Sequence, residues 1–168
     1  LPILSILKTG AVYIPVDPAY PKERIRYIVS VVKPKVIFAN ASDIREINGI
    51  LAEEISVIPK IVEVERCLTR DCVPQEVIVD AEDTAYIIFT SGTTAQSKAV
   101  MLSQKNIASD IYAMQLVEPL TAGDITIAFL PFHHVFGSTC IIMMLASGVA
   151  ISFPDGIRYI AQNLKEYG

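Results

Sequence analysis

Histidine, glycine and charge are all scarce in this chain. Among 168 residues there are two histidines, eight glycines and three cysteines, and charged residues make up only 19%. A net charge of −4 without a long basic cluster leaves no electrostatic footprint for nucleic acid and argues against an anionic membrane surface. Cys67, Cys72 and Cys140 are an odd set, and both histidines lie about sixty residues or more beyond Cys67 and Cys72. A metal site is therefore not expected. Thiols in a reducing compartment are the better reading, so the expected location is cytoplasmic. Residues 1–7 are apolar but lack a basic leader and a small-residue cleavage site, so a secretory signal is not expected there. The longest apolar run, residues 137–151, carries Ser and Thr and is too short to span a bilayer.

What is abundant is apolar side chain: the hydrophobic fraction is 52%. That suggests sheets buried on both faces, or a piece of something larger. Residues 1–8 read as the end of an apolar helix, stopped by Gly10, with no cap before it. This gives the expectation that the natural chain begins earlier. Residues 11–15 read as a strand and 16–21 as a proline-fixed turn. A helix follows from Pro21 with the stripe Ile25, Ile28, Val29 and Val32, and Lys33-Pro34 ends it. Residues 35–39 form a strand, and Ser42 or Asp43 would cap a helix running to about Glu54. Residues 55–83 read as edge strands, loops and solvated surface.

A strand at 86–89 leads into a loop of small and hydroxylated residues, and a second apolar run, 99–102, leads away. Ser103 would cap a helix bearing Ile107, Ile111, Met114 and Val117, ended by Pro119. Strands are expected at 124–130 and 149–153, a loop at 131–137, and a buried helix at 138–146. Ile157, Ile160, Ala161 and Leu164 mark a last helix. Alternating helices and strands argue for parallel strands with crossover helices, an α/β fold.

Two stretches carry chemistry. In the loop after residue 89, Thr90, Ser91, Thr93 and Thr94 offer hydroxyl donors. Gly92 lets the backbone approach closely, and Lys98 adds a point charge. That set suits phosphate oxygens, although a solvated hairpin turn has the same composition. Gly92 is the loop's only glycine, so the Walker A pattern is absent. The second stretch is Pro131-Phe-His-His-Val-Phe-Gly137, at a strand end where open α/β sheets place ligands. It holds both histidines, which read equally as satisfied loop residues.

Thr90-Ser-Gly-Thr-Thr-Ala-Gln-Ser-Lys98 resembles the phosphate loop of the AMP-forming adenylating enzymes, written Thr-Ser-Gly-Thr-Thr-Gly-x-Pro-Lys-Gly-Val. This family comprises acyl-CoA synthetases, luciferase-like enzymes and peptide-synthetase adenylation domains. Residues 7–25, beginning Leu-Lys-Thr-Gly-Ala-Val-Tyr-Ile-Pro-Val-Asp-Pro, are similar to an early, mainly structural block of the same family. Residues 131–137 resemble its Pro-x-Phe/His-His-x-Phe-Gly motif.

The resemblance implies part of the large N-terminal domain of an AMP-binding ligase, with a mostly parallel sheet. Residues 1–168 are expected to be one incomplete domain, made of a first α/β portion (1–80) and a phosphate-loop portion (81–168). The implied reaction joins a carboxylic acid to the α-phosphate of ATP, carried with Mg2+, to give acyl-AMP. The acyl group then passes to the thiol of CoA or of phosphopantetheine on a carrier protein. Thr90, Ser91, Gly92, Thr93, Thr94 and Lys98 would contact phosphates. Lys98 and His134 would serve catalysis, and His134, Phe136 and Gly137 would border the acyl substrate.

Amino-acid-activating members usually carry an aspartate where Val135 stands, so Val135 favours an acid without an α-amino group. Ala95, Ser97 and Ala99 depart from a glycine, a proline and a glycine of the pattern. If position 95 needs positive φ, alanine costs about 1 kcal/mol or more. These departures support a rival reading, a non-catalytic nucleotide-binding or interaction module. The adenine- and ribose-binding blocks and the C-terminal lysine of the family find no match. The 168-residue chain is therefore expected to be inactive alone, to need the missing C-terminal part, and to self-associate through apolar surface.

Overall fold

A computed structural model describes residues 2–52, 58–67, 77–90 and 97–167. The chain divides into two units, Leu1–Ala11 with Val16–Ile78, and Val12–Pro15 with Val79–Gly168.

In the first unit, α1 (Pro2–Lys8) ends at Gly10, whose φ of 70° suits glycine. α2 (Lys22–Val32) begins after Pro21, whose φ of −52° pre-sets the entry. Of the apolar stripe, Ile28 and Val29 are buried. Lys33 then takes a left-handed conformation, donates its N–H to the Val29 carbonyl at 2.9 Å, and hands the chain to Pro34. β1 (Val36–Ala39) pairs in parallel with β2 (Lys60–Glu63), and α3 (Ile44–Leu51) lies between them in sequence, burying Ile50 and Leu51. This is the right arrangement for a βαβ unit.

Three local expectations change in this unit. α3 ends at Leu51 rather than near Glu54. Asp43 occupies the N-cap, but its carboxylate accepts from Ser42 Oγ at 2.8 Å and from Asn40 Nδ2 at 3.4 Å, so it caps no helical N–H. A short helix, α4 (Val64–Cys67), follows β2 where only loop and strand were expected.

The second unit is organised on β3 (Thr84–Thr90), which pairs antiparallel with β4 (Lys98–Ser103). The strand expected at 11–15 is a single parallel bridge. Tyr13 donates its N–H to Ala85 O, and its own carbonyl accepts from Ile87 N–H, both at 3.1 Å. Ala85, Tyr86, Ile88 and Phe89 are buried, so β3 is covered on both faces. α5 (Gln104–Val117) starts with a complete capping box: Ser103 Oγ accepts from Asn106 N–H at 3.2 Å, and Asn106 Oδ1 accepts from Ser103 N–H at 3.0 Å. The acidic turn before β3 anchors the same end, because Lys105 pairs with Glu82 at 2.9 Å.

β5 (Ile125–Ile127) and β6 (Ala150–Ser152) pair in parallel across α6 (Val135–Ala146). Both strands are shorter than expected, and α6 begins three residues earlier, so Phe136 and Gly137 are helical rather than loop residues. The last helix is a 3-10 turn, Ile157–Tyr159, running into α7 (Ile160–Tyr167). Its anticipated apolar face is not the buried one. Ile157 and Leu164 are exposed, and Asn163 is fully buried. Asn163 Nδ2 donates to Asp155 Oδ2 at 3.0 Å and to Glu166 Oε2 at 3.3 Å, which satisfies the buried amide. The architecture is an α/β fold with two parallel strand pairs and one antiparallel hairpin among the described residues.

Candidate active site

The hairpin brings together the two described members of the phosphate-loop set. Thr90 and Lys98 are directly opposed in the β3–β4 register, the last pair before the connecting loop. Opposed residues place their side chains on the same face of the sheet. A hydroxyl donor and an ammonium are thus set side by side at the open end of a buried strand, and both residues are exposed. This donor set fits a phosphate group, which needs hydrogen bonds and positive charge. Ser91, Gly92, Thr93, Thr94 and Ala95 lie outside the described residues. Ala99 can be judged directly: it is an ordinary strand residue opposite Phe89. Positive φ outside glycine occurs only at Lys33 among the described residues, so alanine at 99 meets no backbone penalty.

The second set gathers on the first turn of α6. His134 N–H donates to Pro131 O at 3.1 Å, closing a turn, and His134 then serves as the helix N-cap with extended backbone. Its imidazole makes no capping bond, and its ring centre lies 5.1 Å from that of His133. Phe136 is 62% exposed, whereas Gly137 is buried. A Cβ on Gly137 would fall on the Pro131 carbonyl oxygen and 3.0 Å from its carbon. Glycine is therefore required here for the helix to approach the Pro131 backbone. Ser138 Oγ donates to Phe132 O and Thr139 Oγ1 to Val135 O at 2.9 Å, which ties the turn to the helix.

Behind this turn lies a chemistry that the residue patterns did not single out. Tyr13 and Tyr86 stack with ring centres 5.0 Å apart, and both are almost completely buried. Neither hydroxyl has a well-formed hydrogen bond among the described residues. Burial pushes the Tyr13 phenol up to about 12, with the Ser138 hydroxyl opposing and Tyr86 adding to the rise. Burial likewise raises Tyr86, offset by Thr139 and reinforced by the charge of Asp110. Tyr86, Val135, Thr139 and Asp110 line one cavity of about 440 Å³ between the hairpin, α5 and α6. The signal for Asp110 was its spacing of three from buried Ile107, which puts both on one side of α5.

Comparison with known proteins agrees with these motifs. Residues 2–167 match the model of the family described as AMP-binding enzyme. The chain is 31% identical over 155 residues to a dimodular nonribosomal peptide synthase of Bacillus subtilis, covering 89% of this chain and 6% of that one. It is 26% identical over 156 residues to a CoA ligase of Gibberella moniliformis, covering 90% of this chain and 26% of the relative. The inhibitor-bound N-terminal domain of FACL13 from Mycobacterium tuberculosis shares its fold, with a TM-score of 0.87, 21% identity, and coverage of 98% and 44% of the two chains. The chain thus spans a small part of the relatives it matches, and it belongs to the AMP-binding enzyme family.

Proposed function

We propose that this chain is part of an ATP-dependent, AMP-forming carboxylate ligase. The observation that carries the reading is the register pairing of Thr90 with Lys98 at the mouth of a hairpin, in a chain of the AMP-binding family. Thr90 and Lys98, with Ser91, Gly92, Thr93 and Thr94, bind and neutralise the triphosphate, and Mg2+ arrives with the nucleotide. ATP supplies the activated phosphorus. A carboxylate oxygen bonds to the α-phosphorus as the bond to pyrophosphate breaks, and a thiol sulfur then takes the acyl carbon as AMP leaves. The protein's task is to hold charge and align the reactants. His134 orients the carboxylate end, Phe136 borders the acyl group, and Gly137 lets α6 come close enough to the turn to do so. The acceptor is CoA or the phosphopantetheine of a carrier protein.

A second reading is an amino-acid adenylation domain, favoured by the 31% identity to a peptide synthase. Activity needs the further chain that such ligases carry, so the 168 residues alone form no acyl-AMP. In this reading the protein is cytoplasmic, and the apolar side chains exposed here, Phe136, Ile157 and Leu116 among them, drive self-association of the isolated chain.

The test is carboxylate-dependent ATP–pyrophosphate exchange by the full-length protein against fatty, aryl and amino acids. Exchange with one class supports the ligase and names its substrate. A folded protein that exchanges with none is a nucleotide-binding or interaction module instead.

A further inference from the structure

The cavity between the hairpin, α5 and α6 has an uneven lining. Leu102, Ile107 and Val135 supply an apolar body, and about 440 Å³ is within the range of small-molecule sites. Against that body stand two polar groups without a well-formed partner among the described residues. The Tyr86 hydroxyl is buried without a well-formed hydrogen bond, and Asp110 pairs with no cation among the described residues. The Asp110 charge reaches the interior: it contributes, after burial, to raising both Tyr86 and Cys140. A plain hydrocarbon chain filling this space would leave the buried Tyr86 phenol without a partner and cover one side of the solvent-facing Asp110 carboxylate. An ammonium group would be accepted by both oxygens.

We propose that Asp110 is a specificity-determining residue that selects a carboxylic acid bearing an ammonium group away from its α-carbon. The inference rests on the ligase reading above, in which the substrate carboxylate lies at His134. Val135 follows His134 directly and offers an α-ammonium nothing. Asp110 stands on another helix, lining the same cavity, so the ammonium it reads is displaced along the acyl chain. Tyr86 completes the site by accepting one N–H of that ammonium, and Leu102 and Ile107 pack against the intervening methylenes.

The experiment is ATP–pyrophosphate exchange by the full-length protein with γ-aminobutyrate, butyrate and alanine, for the wild type, Asp110→Asn and Asp110→Glu. Asp110 is exposed on α5, so the variants are expected to fold, as circular dichroism would check. The wild type should prefer γ-aminobutyrate to butyrate in kcat/KM by about tenfold or more. Asp110→Asn should abolish that preference by lowering kcat/KM for γ-aminobutyrate about tenfold or more relative to butyrate, and Asp110→Glu should restore part of it. A wild type that prefers butyrate or alanine, or an Asp110→Asn variant that lowers all three acids equally, overturns the proposal. Calorimetric binding of γ-aminobutyrate separates it from the ligase reading. Binding that Asp110→Asn abolishes, without exchange, sinks the ligase and keeps the Asp110 site. No binding by the wild type sinks the site.

Discussion

β1 and β3 are both short apolar strands, yet they are built to different ends. β1 leaves Val36 and Phe38 more than a third exposed and has β2 as its partner among the described residues. β3 is held on one edge by β4 and on the other by the Tyr13 bridge, and four of its seven residues are buried. A strand locked at both edges and both faces has little freedom, and it is the one that delivers Thr90 beside Lys98. The lesson is that the Thr90–Lys98 pair is held in register because the strand beneath it is over-determined.

The contrast breaks most visibly at Tyr86. Tyr86→Ala should cost about 3–5 kcal/mol, against about 1–2 kcal/mol for Phe38→Ala, in urea unfolding of the two variants. Equal costs would show that β3 is no more constrained than β1. The next largest effect is expected at Gly137→Ala, about 1–3 kcal/mol, because the new methyl group meets the Pro131 backbone and not a movable side chain. It should also lower carboxylate-dependent exchange, since α6 and His134 must shift together.

Tyr13 sharpens the comparison through pH. Its folded-state value of about 12 lies above the ordinary phenol value of 10.0, so the folded protein holds this proton more tightly than the unfolded chain. The stability linked to it is intact below pH 10 and is lost as pH rises towards 12. Tyr13→Phe should flatten that fall in alkaline unfolding curves, and an unchanged curve would place the loss elsewhere. The smallest effect is at the helix that follows the hairpin. Ser103→Ala should cost about 1 kcal/mol of thermal or urea stability by removing one arm of the capping box.

Much of this was legible in the residues. Ser103 predicted its cap, Pro21 and Lys33-Pro34 bracketed α2, and the three family blocks identified the family, because each rests on local chemistry. The misses share a different cause. Asp43 looked like a cap, but its neighbour Ser42 took its carboxylate. The stripe Ile157, Ile160, Ala161 and Leu164 suggested an apolar face, yet the buried group is Asn163, satisfied by Asp155 from before the helix and by Glu166 one turn on. The Tyr13–Tyr86 stack joins residues far apart in sequence, and Asp110 acquires meaning only through the cavity it shares with Tyr86 and Val135. Such features depend on which surfaces meet, and no periodicity encodes them. Ala99 shows the reverse: the family pattern made it suspect, and its extended backbone removes the objection.

The central claim is that the mouth of the β3–β4 hairpin holds a nucleotide triphosphate. Calorimetric titration of ATP into the full-length protein and its Lys98→Ala variant tests it most directly. The account predicts binding by the wild type and a loss of about tenfold or more in affinity for the variant, with folding unchanged because Lys98 is exposed. Equal affinity in the two proteins would contradict it and move the nucleotide away from this hairpin.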